Sequence, residues 1–521
     1  QNTISINQYF EKAYSNFIAT STTAFTNYYD DMIMDQDFTS APIFTLEQMQ
    51  NRNSITEELL FKSKTSSNYK WTTGFFGFYD NLTPNATVLF KNDGINKLIE
   101  SNVQVNIPTY VTYDILDTNF RIDNTFKNPT YGLALYHQSS YDNFITDGLT
   151  ITAGLRFDYA HNKLSYNTGA SLTQSYNMIQ GPFTIIDTLP TKLEFTGETN
   201  KDNFQVLPKL SFNYNFNDNA RLYVSAARGM KSGGYNIQML SDLAQNDLRY
   251  NMIDELKGSI SKQMATVGVP QQIIDLVLGK LPVFKKIDTM PGVLGNMLWY
   301  SPEQCLNLEL GTYMNFLNGK LTAELSVYYM DVTDLQLTKF SPNGFGRMLS
   351  NAGSATSKGF ETSLSTRLID NLNISVDYGF AYSTFTDYLD TLTINDSLYE
   401  IDYSGKRVPY APQQTLSIVG QYMRCITEGL CAQLTAQYQG TGNIYWDEAN
   451  SLSQKYYNTV NAKFALHYGT NTMDGEGITL EIWANNLLNT KYNTFYFESL
   501  GNRFFQMGRP ASFGATIKVK F

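Results

Sequence analysis

The chain closes on a stretch whose side chains alternate in polarity one by one, and that alternation recurs along most of its length. In 508–521, GRPASFGATIKVKF, Phe513, Ala515, Ile517, Val519 and Phe521 share one face while Ser512, Gly514, Thr516, Lys518 and Lys520 share the other. Such a period-2 run is a strand with one apolar face. In 149–159, Leu149, Ile151, Ala153, Leu155, Phe157 and Tyr159 are set against Thr150, Thr152, Gly154, Arg156 and Asp158, and similar runs fall at 306–311, 321–329, 372–382 and 433–438. A soluble sheet covers its apolar face with a second layer. A chain built of such strands with no layer to cover them turns that face to lipid instead.

Composition agrees with a lipid-facing sheet. Of 521 residues 42% are hydrophobic and only 17% charged, with 36 Tyr and 33 Phe to supply aromatic girdles. No apolar run approaches the length of a membrane-spanning helix, and a mean hydropathy of −0.29 is what alternation leaves after averaging. The net charge of −10, spread along the chain, argues against a nucleic-acid partner. No Pro- or Ser-rich linker divides the sequence, so one large sheet is the simplest organisation. The opening QNTISINQYF has neither the basic nor the apolar part of a signal peptide.

Strands are expected near 14–29, 54–64, 69–79, 131–141, 148–166, 203–215, 220–229, 303–316, 319–334, 353–367, 372–386, 411–425, 430–440, 457–468, 475–486 and 508–521, about sixteen in all. Their connections alternate in length. Short links such as 142–147, 216–219 and 426–429 alternate with long ones such as 30–53, 80–130, 167–202 and 230–302. An all-β, antiparallel transmembrane barrel has this parity, with short turns at the periplasmic end and long loops outside. Two of the long connections carry helical spacing: 94–106 in one, 247–267 and 270–284 in the other. They read either as packing for the outer surface or as part of a lid or docking site.

Six short stretches together resemble the carboxy-terminal half of TonB-dependent outer-membrane receptors: ARGMKSGGYN (227–236), SPEQCLNLELG (301–311), SNAGSATSKGFE (350–361), VPYAPQQTLS (408–417), ANNLLNTKYNT (484–494) and the closing strand. The resemblance implies a barrel of about 22 strands closed by a plug, active import energised by the TonB complex, and no cofactor. It implies as cargo a scarce, bulky solute, most often a ferric siderophore or other iron complex, with cobalamin and oligosaccharide left open and haem disfavoured by the lack of the loop motifs and histidine placement it would need. It also implies that the barrel-assembly machinery reads Phe521, and that outer-membrane lipid and lipopolysaccharide surround the barrel. No stretch looks like the plug, so 1–521 is expected to be a partial barrel beginning near the seventh strand. A passive porin is the rival reading.

Within the motifs, Gly229, Gly233 and Gly234 are expected at backbone angles that other residues avoid, and Asn485, Asn486 and Asn489 as turn formers. No catalytic constellation is visible: His137, His161 and His467 lie on different strands without a matching nucleophile, which argues against an enzyme. The acidic run 29–37 suits a solvated loop better than a calcium site. Cys425 and Cys431 flank a short turn where a periplasmic location would let them pair, and Cys305 has no partner in view. By position, Trp299, Tyr300, Tyr445, Trp446 and Arg503 are candidate substrate contacts, with an aromatic girdle as the alternative role for the rings.

Overall fold

The structure, a computed structural model, describes residues 1–521 except 36, 65–66, 106, 181–182, 287–290, 341–346, 395–396, 471, 474 and 500–501. Long antiparallel strands form one sheet in chain order. They are β1 (Asn2–Ala13), β2 (Phe17–Asp35), β3 (Phe44–Ser63), β4 (Tyr69–Lys91), β5 (Asn119–Tyr141), β6 (Leu149–Gln180), β7 (Phe183–Asn217), β8 (Ala220–Lys231) and β9 (Glu303–Phe316). The sheet continues with β10 (Leu321–Phe340), β11 (Arg347–Ile369), β12 (Leu372–Asp387), β13 (Gln414–Thr427), β14 (Leu430–Thr441), β15 (Tyr457–Gly469), β16 (Gly477–Asn485) and β17 (Ser512–Lys520). Each pairs with the next, and a short strand, Val111–Ile115, adds to the far end of β6. Among the described residues β1 pairs only with β2, and β17 only with β16.

The apolar face of the closing strand is bare. Phe513, Ile517 and Val519 are 68%, 70% and 51% exposed, so no second protein layer covers them. Along β5, Leu133 and Leu135 point the same way, and cross-strand alignment continues that outward belt through Tyr159 and Phe157 on β6 to Phe204 and Val206 on β7. Tyr79, Tyr131 and His161 align at one border of the belt, Tyr69 and Tyr141 at the other. Rings with a polar tip belong at such boundaries.

Beyond the upper border the strands of β3 to β7 continue, and their polarity changes phase. On β6 the even positions are inward throughout: Thr152, Arg156 and Asp158 within the belt, then Leu164, Tyr166, Leu172, Tyr176 and Met178, all buried. The odd positions switch from Leu155, Phe157 and Tyr159 to Lys163, Ser165 and Asn167. β5 changes in the same sense, with Phe120, Ile122 and Phe126 buried inward, and so do Phe44 and Leu46 of β3, Val88 and Phe90 of β4, and Ile185 and Leu193 of β7. Where lipid ends, the outer face must be wet and the inner face becomes a core. This corrects the expected loops at 30–53, 80–130 and 167–202, which are largely strand.

Helices seal that core from the inner side. α1 (92–104) carries a π-helical segment, Ile95–Glu100, that buries Ile95 and Ile99. α2 (Met239–Thr266) buries Leu240, Ala244, Leu248, Met252, Leu256 and Ile260 at four-residue spacing, each contributing about 1.5–3 kcal/mol where the side chain is large. It ends where Gly268 turns left-handed (φ 78°), with Gly268 N–H donating to Ala265 O (3.0 Å). α3 (Gln271–Leu278) and α4 (Pro291–Leu298) complete the layer. Buried polar groups tie helix to strand: Gln174 Nε2 donates to Met252 O (3.0 Å), and Asn124 Nδ2 to Ser241 Oγ (2.9 Å).

The sixteen expected strands all have counterparts, and β1 is additional. Its outward positions, Ile4, Ile6, Gln8, Phe10 and Lys12, mix polar with apolar, which hides the alternation. The helices at 94–106, 247–267 and 270–284 are present with shifted ends. The run 29–37 is mostly strand, and Asp37 is buried, accepting from Thr39 N–H (2.8 Å) and Phe44 N–H (3.3 Å). Gly229, Gly233 and Gly234 have no positive φ; a Cβ at Gly233 would instead lie 2.6 Å from Tyr300 O, and one at Gly234 2.5 Å from Tyr300 Oη.

Leu133→Arg is expected to lower stability in lipid vesicles by about 2–4 kcal/mol, and Thr125→Arg, on the same face past the phase change, by under about 0.5 kcal/mol; urea titration reads both. Donation from Ser259 first, then Thr188 N–H and Gln263, holds the Asp187 carboxyl below its usual range. Its stabilisation of the α2 docking is present above the ordinary carboxylate pKa and lost as pH falls through the depressed one. Hydrogen exchange of α2 should show that acid loss, and Asp187→Asn should abolish the pH dependence.

Candidate functional site

The inner wall below the helices is polar and, over β9 to β12, acidic. A cavity of about 760 Å³ is lined by Arg221, Tyr223, Glu309, Tyr313, Glu324, Glu361 and Asp377, among others. Tyr223 Oη donates to Glu309, and Ser363 Oγ to Asp377 (2.6 Å). The guanidinium of Arg221 stacks over Tyr313 at 4.9 Å. Glu324 and Glu361 have no ion pair among the described residues. Elsewhere the wall is balanced: Arg52 with Asp80 (2.8 Å), Arg156 with Asp158 (2.7 Å), and Lys463 and Lys518 on Glu481 (3.3 and 2.9 Å).

Above this wall an aromatic hairpin crosses the mouth. Its strands, Asn493–Ser499 and Asn502–Met507, connect β16 to β17 and carry Phe495, Tyr496, Phe497, Phe504 and Phe505. Its base is set by asparagines. Asn486 (φ 47°) receives Thr490 N–H (2.9 Å) and donates to Arg509 O (2.9 Å), while Asn489 receives Ala511 N–H (3.0 Å). Phe495 stacks on Tyr410 at 5.7 Å, and Tyr410 Oη donates to Tyr496 O. At the far end Phe497 and Phe504 stack at 4.9 Å and meet Phe38, from the β2–β3 connection, at 4.6 and 5.5 Å. The ends of the sheet, unpaired below, therefore meet at the mouth. Phe38 holds φ 55°, a conformation that a bulky residue adopts at a cost of order 1–3 kcal/mol when its surroundings enforce it.

The five candidate contacts fall into two groups. Trp299 and Tyr300 pair with Tyr235 and Gly234, and the Trp299 ring packs edge-on against Tyr235 at 5.1 Å. Tyr445 and Trp446 lie by the hairpin. Trp446 is 4% exposed, packed against Tyr410 (5.4 Å) and clustered with Tyr496, so it supports the hairpin rather than presenting a surface. Tyr496 donates to Glu498, and burial followed by that carboxylate pushes its hydroxyl well above the ordinary phenol range. Arg503 Nε pairs with Glu498 at 2.8 Å and its side chain is 61% exposed, which leaves it the accessible cation of the hairpin tip. The aromatic density of 493–507 was visible in sequence, but its reach to Phe38 was not.

His137, His161 and His467 each engage a neighbouring strand, through Thr73 (2.7 Å), Asp202 (2.8 Å) and Thr479 (2.9 Å). Cys425 and Cys431 stand opposite each other on β13 and β14 and are disulfide-bonded; Cys305 is a half-buried free thiol.

Residues 2–487 match the family described as TonB dependent receptor-like, beta-barrel. The chain belongs to the TonB-dependent receptor family. This is a family of outer-membrane transport receptors of Gram-negative bacteria. The receptor chain is 24% identical over 378 residues to the pesticin receptor of Yersinia enterocolitica serotype O:8 / biotype 1B, covering 72% of this chain and 42% of that protein. It is 23% identical over 212 residues to the probable TonB-dependent siderophore receptor PiuA of Acinetobacter baumannii, covering 41% of this chain and 26% of that one. In fold it is similar to the ferric yersiniabactin uptake receptor FyuA from Yersinia pestis, with TM-score 0.65 and 18% identity over 100% of this chain and 61% of that one. The receptor chain thus spans under half the length of the pesticin receptor.

Loss of the Phe38 contact should be felt at the opposite end of the sequence. Phe38→Ala is expected to raise amide exchange across 493–507 at least severalfold while leaving β13 and β14 unchanged, as read by mass-spectrometric hydrogen exchange.

Proposed function

We propose that this chain forms most of a barrel that imports a ferric siderophore or other iron complex across the outer membrane, driven by the TonB complex acting on a plug. The observation that carries the reading is the mouth: a polar, partly acidic inner wall roofed by an aromatic hairpin whose tip exposes the Arg503 guanidinium, ion-paired through Nε with Glu498. Planar chelates with delocalised negative charge suit rings and a guanidinium together. Trp299, Tyr300 and Tyr445 are further contacts for the cargo. By their names one relative is a receptor for pesticin and one structural neighbour an uptake receptor for ferric yersiniabactin, and family membership supports import of an iron complex here.

A barrel of roughly 22 strands needs more strands than this sheet has, and they would pair with the free edges of β1 and β17. We place the plug and these strands outside 1–521, with the unpaired Glu324 and Glu361 facing basic side chains of the plug. The long hairpins and helices lie outside the cell, the short turns and Phe521 in the periplasm, and the barrel-assembly machinery reads that terminal ring. We assign no catalytic role and no cofactor.

The test uses the complete receptor in iron-starved cells. Uptake of radiolabelled ferric chelates should require the TonB complex, and Arg503→Ala should weaken chelate binding about tenfold, or ~1.4 kcal/mol, at unchanged barrel yield. Uptake that persists without the TonB complex would overturn the transport reading.

A further inference from the structure

Two cations at the outward face of β10 to β12, Lys358 on β11 and Arg407 from the β12–β13 connection, have no ion pair among the described residues. Tyr329, Lys358 and Tyr382 align across these strands, one row above the aligned Val327, Phe360 and Phe380 of the lipid-facing belt. Arg407, bridged to Thr384 one row higher, leans back over the same ring: its Cζ lies 4.2 Å from the Tyr382 centroid, and Lys358 Nζ lies 5.7 Å from it. The Arg407 backbone is clamped by Asn450, which accepts its N–H (2.7 Å) and donates to its O (3.0 Å). One guanidinium nitrogen, Nη2, donates to Ala381 O (3.0 Å), whereas the other, Nη1, is buried and has no partner among the described residues.

Some outward cations at this end are ion-paired, Arg121 with Glu47 (2.9 Å) and Lys163 with Glu198 (2.8 Å), while the exposed Lys127 and Lys192 stand singly on their strands with no ion pair among the described residues. Near Lys358 the outward acid is Asp331, cross-strand from Thr356, and it makes no ion pair with Lys358 or Arg407. Two unneutralised charges and a desolvated donor therefore frame one interfacial ring at the edge of the belt.

We propose that Lys358, Tyr382 and Arg407 bind the phosphate-bearing headgroup of a membrane lipid. Phosphate accepts from the Lys358 ammonium, and the Arg407 guanidinium, held flat on Tyr382, adds its positive charge, since each cation near an anionic lipid surface contributes attraction whatever the cargo of the barrel. The site rests on the reading that the outward belt faces lipid; on the orientation proposed above, the headgroup belongs to the outer leaflet.

The complete receptor in phosphatidylcholine nanodiscs, doped with bisphosphorylated or dephosphorylated lipid A, tests this by native mass spectrometry. The wild type should retain the phosphorylated form at least tenfold more than the Lys358→Gln/Arg407→Gln variant, with Lys163→Gln as wild type and Arg407→Lys intermediate. Heat-modifiable gel mobility confirms that each variant is folded, and the Arg407→Lys result carries the test if the double variant is not. Equal retention by wild type and double variant, equal retention of both lipids, or displacement by millimolar inorganic phosphate would each overturn the proposal. Labelling of Glu400→Cys on intact cells reports orientation separately, so an inverted barrel would change the leaflet and leave the lipid count unaffected.

Discussion

Inside a bilayer no water is at hand to accept or donate a hydrogen bond, and every backbone amide must find its partner within the protein. The unbroken ladder from β1 to β17 is the consequence. Once the ladder is set, side chains have two directions only, and strict alternation follows from geometry. The outward half becomes Leu, Val and Phe between rows of tyrosine, and the inward half is free to be polar. That freedom makes a lumen of carboxylates, hydroxyls and amides possible in a chain that is only 17% charged.

The same ladder explains how one chain builds both a membrane wall and a water-facing lobe. β6 and β7 remain paired from Leu149↔Tyr214 to Gln180↔Phe183 without a register shift. The backbone therefore does not record where lipid ends. The side chains do, through a one-residue change of phase near Lys163 and Leu164, after which burial moves from the outer face to the inner one. α2 can then dock on these extensions as a helix docks on a soluble sheet. Its partners Tyr176 and Gln174 are inward residues of the same strand that, lower down, turns Leu155 to the lipid.

This division marks what could be read from sequence. Within the belt, alternation was long and clean, and the strands, their order and the short turns at 142–147 and 426–429 were legible from it. Past the belt the pattern persists with swapped polarity, so a search for one apolar face stops at about residue 166 on β6, although the strand runs on to Gln180. β1 was hidden because Gln8 and Lys12 interrupt its apolar side. The turn role of Asn486 and Asn489 was legible because left-handed backbone favours few residues. Gly233 and Gly234 were flagged for the wrong cause: neither has an unusual φ, and what they provide is room for Tyr300. The meeting of Phe38 with Phe497 joins opposite ends of the chain, and no local pattern encodes it.

The lumen shows how glycine and tyrosine divide a task. Tyr223 lies across Gly311, Tyr328 across Gly359 and Tyr136 across Gly74, with ring atoms where a Cβ would stand at 2.5, 2.8 and 2.1 Å. A ring laid flat over a glycine covers exposed ladder without projecting into the lumen, the arrangement by which aromatics compensate glycine in strands. Two of these hydroxyls then hold acids, Tyr223 on Glu309 and Tyr136 on Glu58 (2.6 Å). Any larger residue at Gly311 would lift the Tyr223 ring off the wall and move the hydroxyl that fixes Glu309, whereas one at Gly359 would first meet the backbone O of Phe380. The glycines therefore set both the width of the passage and the position of charge along it, so that a conservative Gly311→Ala change acts on the acidic wall through a tyrosine on the neighbouring strand.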